Sequence, residues 1–149
     1  MNSSIRLGLI CFGLLIINCT DKKKNKVISK DTTHYCINTV LKHDDSLGAI
    51  RNHACKRISL ASTIEQYVNA LNRLDFNACP ENFHTAFKNH AKAWTKMGEF
   101  TTQYSNLRGE MHDLFDSIET TKDSLTFKPL LKAIWDTWAD VEASKINNF

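Results

Sequence analysis

Pro80-Glu-Asn-Phe-His-Thr-Ala-Phe-Lys-Asn-His-Ala-Lys-Ala-Trp-Thr-Lys-Met-Gly98 reads as one amphipathic helix. Phe83, Phe87, His90, Ala91, Trp94 and Met97 follow one another at helical spacing and so share one side of it. Lys88, Lys92 and Lys96 repeat at i, i+4 and form a second, charged stripe. Pro80 is tolerated in a helical first turn and disfavours a helical residue before it, so Leu74-Asp-Phe-Asn-Ala-Cys-Pro80 is a break. Gly98 marks the expected end.

On either side the same period recurs. Upstream, Tyr35, Cys36, Val40 and Leu41 predict a short helix that stops at His43-Asp-Asp-Ser46, a cluster of turn and cap residues. Leu47, Ile50, Ala54, Ile58, Ala61, Ile64, Val68 and Leu71 then predict a long helix over roughly residues 46–74. Ser62 followed by Glu65 offers an alternative, a capping box that opens a new helix there. Downstream, past a looser link at Glu99–Asn106, come Leu107, Met111, Leu114, Phe115 and Ile118. A last pattern holds Phe127, Leu131, Ile134, Trp135, Trp138 and Val141, with Pro129 in its first turn. Strands have no comparable support, and the chain contains only two prolines and five glycines to punctuate turns. The expected fold is all-α: an antiparallel bundle of about four main helices plus a short N-terminal one, over residues 32–149.

The formal charge of +3 is unevenly placed. Arg6 and a cluster of lysines (Lys22, Lys23, Lys24, Lys26 and Lys30) precede Thr32, and from Thr32 onward 13 Lys and Arg face 14 Asp and Glu. The domain is near neutral, with no basic field to steer a polyanion, so nucleic acid is not an expected partner.

The N-terminus explains the remaining charge. A short region with Arg6 leads into the apolar run Leu7-Gly-Leu-Ile-Cys-Phe-Gly-Leu-Leu-Ile-Ile17, long enough for an export signal and short of the roughly 20 residues that span a bilayer. Leu15-Ile-Ile-Asn-Cys19 resembles the lipobox of bacterial lipoproteins, with Cys19 at the lipidated position and Asn18 where that family usually has Gly, Ala or Ser. The resemblance is confined to residues 1–19. It implies a signal peptide at residues 1–18, a lipidated, lysine-rich tether at 19–31, and a domain held at a membrane of the bacterial cell envelope, on its periplasmic face or at the cell surface. Each buried CH₂ of an acyl chain contributes about 0.8 kcal/mol, so two or three chains on Cys19 would make a lasting anchor.

With Cys11 and Cys19 set aside, Cys36, Cys55 and Cys79 remain, in a compartment where disulfides persist. A turn near residues 44–45 would bring Cys36 and Cys55 to the same height on adjacent helices, so Cys36–Cys55 is the expected bridge. If the long helix breaks near Leu60, Cys55–Cys79 becomes the rival.

Chemistry-bearing constellations are sparse. Glu81-Asn-Phe-His84 has the ExxH spacing of di-iron bundles, but no second ExxH accompanies it, and a glutamate in a first turn suits the helix dipole. His90 lies on an apolar face, where a satisfied core histidine is the ordinary reading and a haem or metal ligand the sharper one. Glu110, Asp113 and Asp116 form an acidic stripe that either faces solvent, pairs with the lysine stripe, or docks a charged partner. Trp135 and Trp138 lie on core-facing stripes and either pack the core or line an apolar pocket. There is no GxSxG, HExxH, CxxC or glycine-rich phosphate loop, so nothing in the sequence argues for an enzyme, a metal or a cofactor.

Two functional expectations follow. The first is a lipid-anchored module that binds another protein as an inhibitor, immunity factor or accessory subunit; it predicts a groove without convergent titratable groups. The alternative is a bundle that binds a small apolar ligand, haem or metal between its helices, with His84, His90 or the tryptophans; it predicts a cavity.

Overall fold

A computed structural model describes residues 30–146. The signal segment, Cys19 and nearly all of the tether lie outside the described residues. Five α-helices follow in order: α1 Lys30–Ala54, α2 Leu60–Leu71, α3 Glu81–Thr101, α4 Met111–Glu119 and α5 Ser124–Ile146, with a 3₁₀ turn at Thr102–Tyr104 after α3. No strand occurs among the described residues, so the fold is all-α. None of these helices is long and apolar enough to cross a membrane.

The expected break at His43-Asp-Asp-Ser46 is absent: α1 runs straight through it. Asp and Ser interrupt helices when their side chains compete for nearby backbone groups. Here Asp44 is engaged elsewhere, accepting a 2.6 Å hydrogen bond from the Tyr67 hydroxyl on α2. Ser46 bonds back to the Lys42 carbonyl at 3.0 Å, which a continuous helix allows. Arg51 and His53 in the last turn suit the helix dipole, and the chain breaks after Ala54. Ser59 then caps α2, its hydroxyl accepting from the Ser62 N–H at 3.2 Å. The anticipated 46–74 helix is thus replaced by the end of α1, a short connection and α2. Tyr35 and Ile50, placed on apolar stripes by their spacing, are exposed on α1.

That shift overturns the Cys36–Cys55 bridge. With both cysteines strung along one direction, 19 positions apart, a rise of about 1.5 Å per residue holds them far beyond disulfide reach. Instead α2 brings Tyr67 to Asp44, and the loop after it delivers Cys79 to Cys36, with Cα atoms 5.2 Å apart in a Cys36–Cys79 disulfide. Cys55 is a free, buried thiol. The chain does break before Leu60, the condition for the Cys55–Cys79 alternative, but Cys79 is taken by Cys36 and that bridge is not formed either.

The central helix α3 matches its sequence signature closely. Phe83, Phe87, His90, Ala91, Trp94 and Met97 are all buried. Pro80 is its N-cap. Gly98 does not end it; a Cβ there would stand 3.2 Å from Ile64 Cγ2, so the glycine admits α2 instead of stopping α3. The anticipated loose link at Glu99–Asn106 is consequently helical as far as Tyr104, first in α3 and then in the 3₁₀ turn. Leu107 stays outside α4, where its carbonyl accepts from the Leu60 N–H at 2.9 Å. Pro129 sits in the second turn of α5, because the helix already begins at Ser124 with the Asp123 carbonyl accepting from Thr126 and Phe127. One hydrophobic core runs through these elements, with α3 packed against both α2 and α5.

Candidate functional site

All five helices contribute to one cleft of about 260 Å³. Its floor is built first by α1, where Asp44 and Arg51 are seven residues apart and therefore share a face. Tyr67 of α2 joins them. From α3 come His90 and Trp94 at i, i+4, and from α5 Leu131, Ile134, Trp135 and Trp138 at the same helical spacing. Met111, His112, Phe115 and Asp116 of α4 close the fourth side. The volume is at the small end for ligand sites, which run to roughly 300–1,000 Å³ for drug-sized molecules.

Arg51 defines the electrostatics. Its Cζ lies 4.5 Å from the centroid of the Tyr67 ring and 4.2 Å from that of Trp94, so two electron-rich faces hold the guanidinium. Tyr67 and Trp94 are themselves edge-to-face at 5.3 Å. Arg51 donates to Asn52 Oδ1 from Nε and Nη2, both at 3.3 Å, and also engages the Tyr67 hydroxyl, while no carboxylate among the described residues forms an ion pair with it. Burial lowers its pKa, with Tyr67 and Asp44 opposing that, and a guanidinium stays charged throughout. Asp44 is only 8% exposed. Burial raises its pKa, against the lowering effects of the Tyr67 hydrogen bond and of Arg51. Burial also pushes the Tyr67 phenol upward, so it remains a donor.

His90 is a neutral spacer here. The indole N–H of Trp94, a donor only, points at His90 Nε2 at 3.1 Å, so that nitrogen accepts. Nδ1 therefore carries the proton, directed at Thr137 Oγ1 3.2 Å away, whose own proton goes to the Ala133 carbonyl at 2.7 Å. Burial depresses the His90 pKa to about 4. Both ring nitrogens are engaged, so His90 is not poised as a haem or metal ligand. His84, the other candidate, stacks on Phe76 at 4.7 Å, and its ExxH partner Glu81 accepts from Thr85. Among the described residues no group of three or more His, Cys, Asp or Glu side chains could hold a metal ion.

The buried neutral histidine sets a pH dependence. An unfolded histidine titrates near 6.5, while His90 in the fold resists protonation until about pH 4. Between those values the unfolded chain binds the extra proton, so stability falls as pH is lowered, by about 3 kcal/mol once the folded value is passed. Asp44, raised in the fold, contributes with the opposite sign. Urea unfolding of wild type and His90→Gln from pH 7 to 4 isolates the histidine: the wild-type curve is expected to fall more steeply, and parallel curves would rule this out.

The remaining sequence expectations divide. Trp138 is half-buried in the cleft wall, whereas Trp135, expected to face the core, stands at the mouth with 61% of its surface exposed. The lysine and acidic stripes do not pair with each other; Glu110 pairs with Lys56, and Lys88, Lys92 and Lys96 are exposed. Asp44, Arg51 and Tyr67 were not legible as site residues. The signal that finds them is the i, i+7 spacing of Asp44 and Arg51, which has meaning only once α1 is continuous. Compared with known proteins, the chain matches no family model, no curated protein and no solved structure.

Proposed function

We propose that this chain is an exported lipoprotein, anchored to the bacterial envelope through lipid on Cys19, whose antiparallel helical bundle binds a small, largely apolar molecule in the five-helix cleft. The observation that carries the reading is the convergence of buried Asp44, Tyr67 and His90 and half-buried Arg51 on one largely apolar cleft. A pure docking surface would not need charged Asp44 and Arg51 drawn largely out of water into one cleft without pairing each other. Haem does not suit the site, because the volume is small and His90 has no open nitrogen. The anchor is tested by the intact mass of protein taken from its native membrane: acylated Cys19–Phe149 supports it, and an unacylated product overturns it.

For the cleft, calorimetric titration of indole into the full chain, purified as the cell processes it and held in lipid nanodiscs with empty discs as blank, is the direct test. Saturable binding is expected. Trp135→Ala should leave stability within about 0.5 kcal/mol, since the side chain is mostly solvated. The same substitution should weaken indole by about tenfold, because an apolar wall at the mouth is lost. Indole that fails to saturate, or binds Trp135→Ala equally well, removes the support. A protein partner is the second reading, favoured by the exposed Trp135, since a large aromatic beside a pocket is a typical anchor point.

A further inference from the structure

Asp44 and Arg51 face one cavity, close enough for each to feel the other's charge, yet they do not pair. Tyr67 stands between them, with its hydroxyl on Asp44 Oδ1 and its ring face against Arg51. The structure therefore holds a half-buried cation and a buried anion on either side of one phenol, with no direct ion pair between them. The bonds from Arg51 to Asn52 and to Tyr67 use only part of its five-donor fork, and Tyr67 occupies one Asp44 oxygen.

We propose that the ligand is a free α-amino acid with an apolar side chain, its carboxylate on Arg51 and its ammonium on Asp44. This rests on the cleft being a small-molecule site, as proposed above. A molecule with a single charge meets opposition: an anion is repelled by Asp44 and by Asp116 on the cleft wall, and a cation by Arg51. A zwitterion adds no net charge and satisfies both groups at once with charge-assisted hydrogen bonds. Beyond the head, Phe115, Leu131, Ile134 and Trp138 offer an apolar surface for the side chain, and about 260 Å³ suits a compact molecule. Because the ammonium and carboxylate are both required, a peptide terminus, which carries only one of them, fits less well.

The test compares four probes of one shape, L-phenylalanine, 3-phenylpropionate, 2-phenylethylamine and ethylbenzene, by calorimetry on the full chain in nanodiscs. L-phenylalanine is expected to bind at least about tenfold more tightly than each of the other three. Arg51→Gln and Asp44→Asn should each erase most of that preference while ethylbenzene binding persists, and the ligand-side comparison stands even where a variant folds poorly. Ethylbenzene binding as tightly as L-phenylalanine would overturn this inference and leave the apolar cleft intact. Equal or tighter binding of 3-phenylpropionate, or of 2-phenylethylamine, would overturn it in favour of a single-charge site. No binding by any probe, ethylbenzene included, would overturn the cleft reading itself.

Discussion

Reduction of the Cys36–Cys79 bridge is expected to destabilise the domain by about 4 kcal/mol, the loop-entropy value for a closure of this size. The two cysteines are 43 positions apart in sequence, so the bridge removes a large set of open conformations from the unfolded chain. It also ties the start of α1 to the loop that opens α3, where no other covalent link exists among the described residues. For a domain of this size the loss corresponds to a fall in melting temperature on the order of 15 °C. Thermal melts with and without reductant, and of the Cys36→Ala/Cys79→Ala double variant, measure it; an unchanged midpoint would exclude a stabilising bridge. Peptide mapping gives an independent check, with a Cys36–Cys79 linked pair expected. Cys55, fully buried with its thiol pKa raised by that burial, should resist alkylation until the chain unfolds.

The misplaced bridge shows where sequence reading stops. The period of α3 is legible because its apolar residues face a core on one side and water on the other, and all six anticipated positions are buried. The boundary at His43-Asp-Asp-Ser46 is not, because the Asp44 carboxylate is taken by Tyr67, 23 residues later, instead of competing for the local backbone. That is a tertiary contact overriding local preference. Three further misplacements descend from it: the height of Cys55, the exposure of Ile50, and the invisibility of the Asp44–Arg51 face. Trp135 and Trp138 show a different limit. Both fit the α5 stripe, but a stripe predicts a face, and where a face opens into a cleft the residues at its edge reach solvent. A cavity is one alternative in the sequence, through His84, His90 or the tryptophans; the charged floor has no counterpart there.

Phe127→Ala should be comparably damaging, at about 3–5 kcal/mol, the range for removing a fully buried aromatic. Phe127 has no exposed surface and joins three elements: its ring lies 5.8 Å from Phe100 at the end of α3 and 5.2 Å from Phe115 on α4. Leu125, two residues earlier on the same helix and 87% exposed, supplies the control, and Leu125→Ala should change stability by no more than about 0.5 kcal/mol. Urea midpoints of the two variants decide the matter, and a Phe127→Ala loss below about 1 kcal/mol would contradict this packing. The variant also probes the cleft. Phe115 is both a neighbour of Phe127 and a wall of the cavity, so the void left by Phe127 allows Phe115 to relax away from the ligand space. Weaker indole binding is therefore expected even under conditions where Phe127→Ala remains folded, whereas Leu125→Ala should bind as wild type does. Unaltered binding in folded Phe127→Ala would mean that α4 is held in place by the rest of its buried face, Met111, Leu114 and Ile118, independently of the contact with α5.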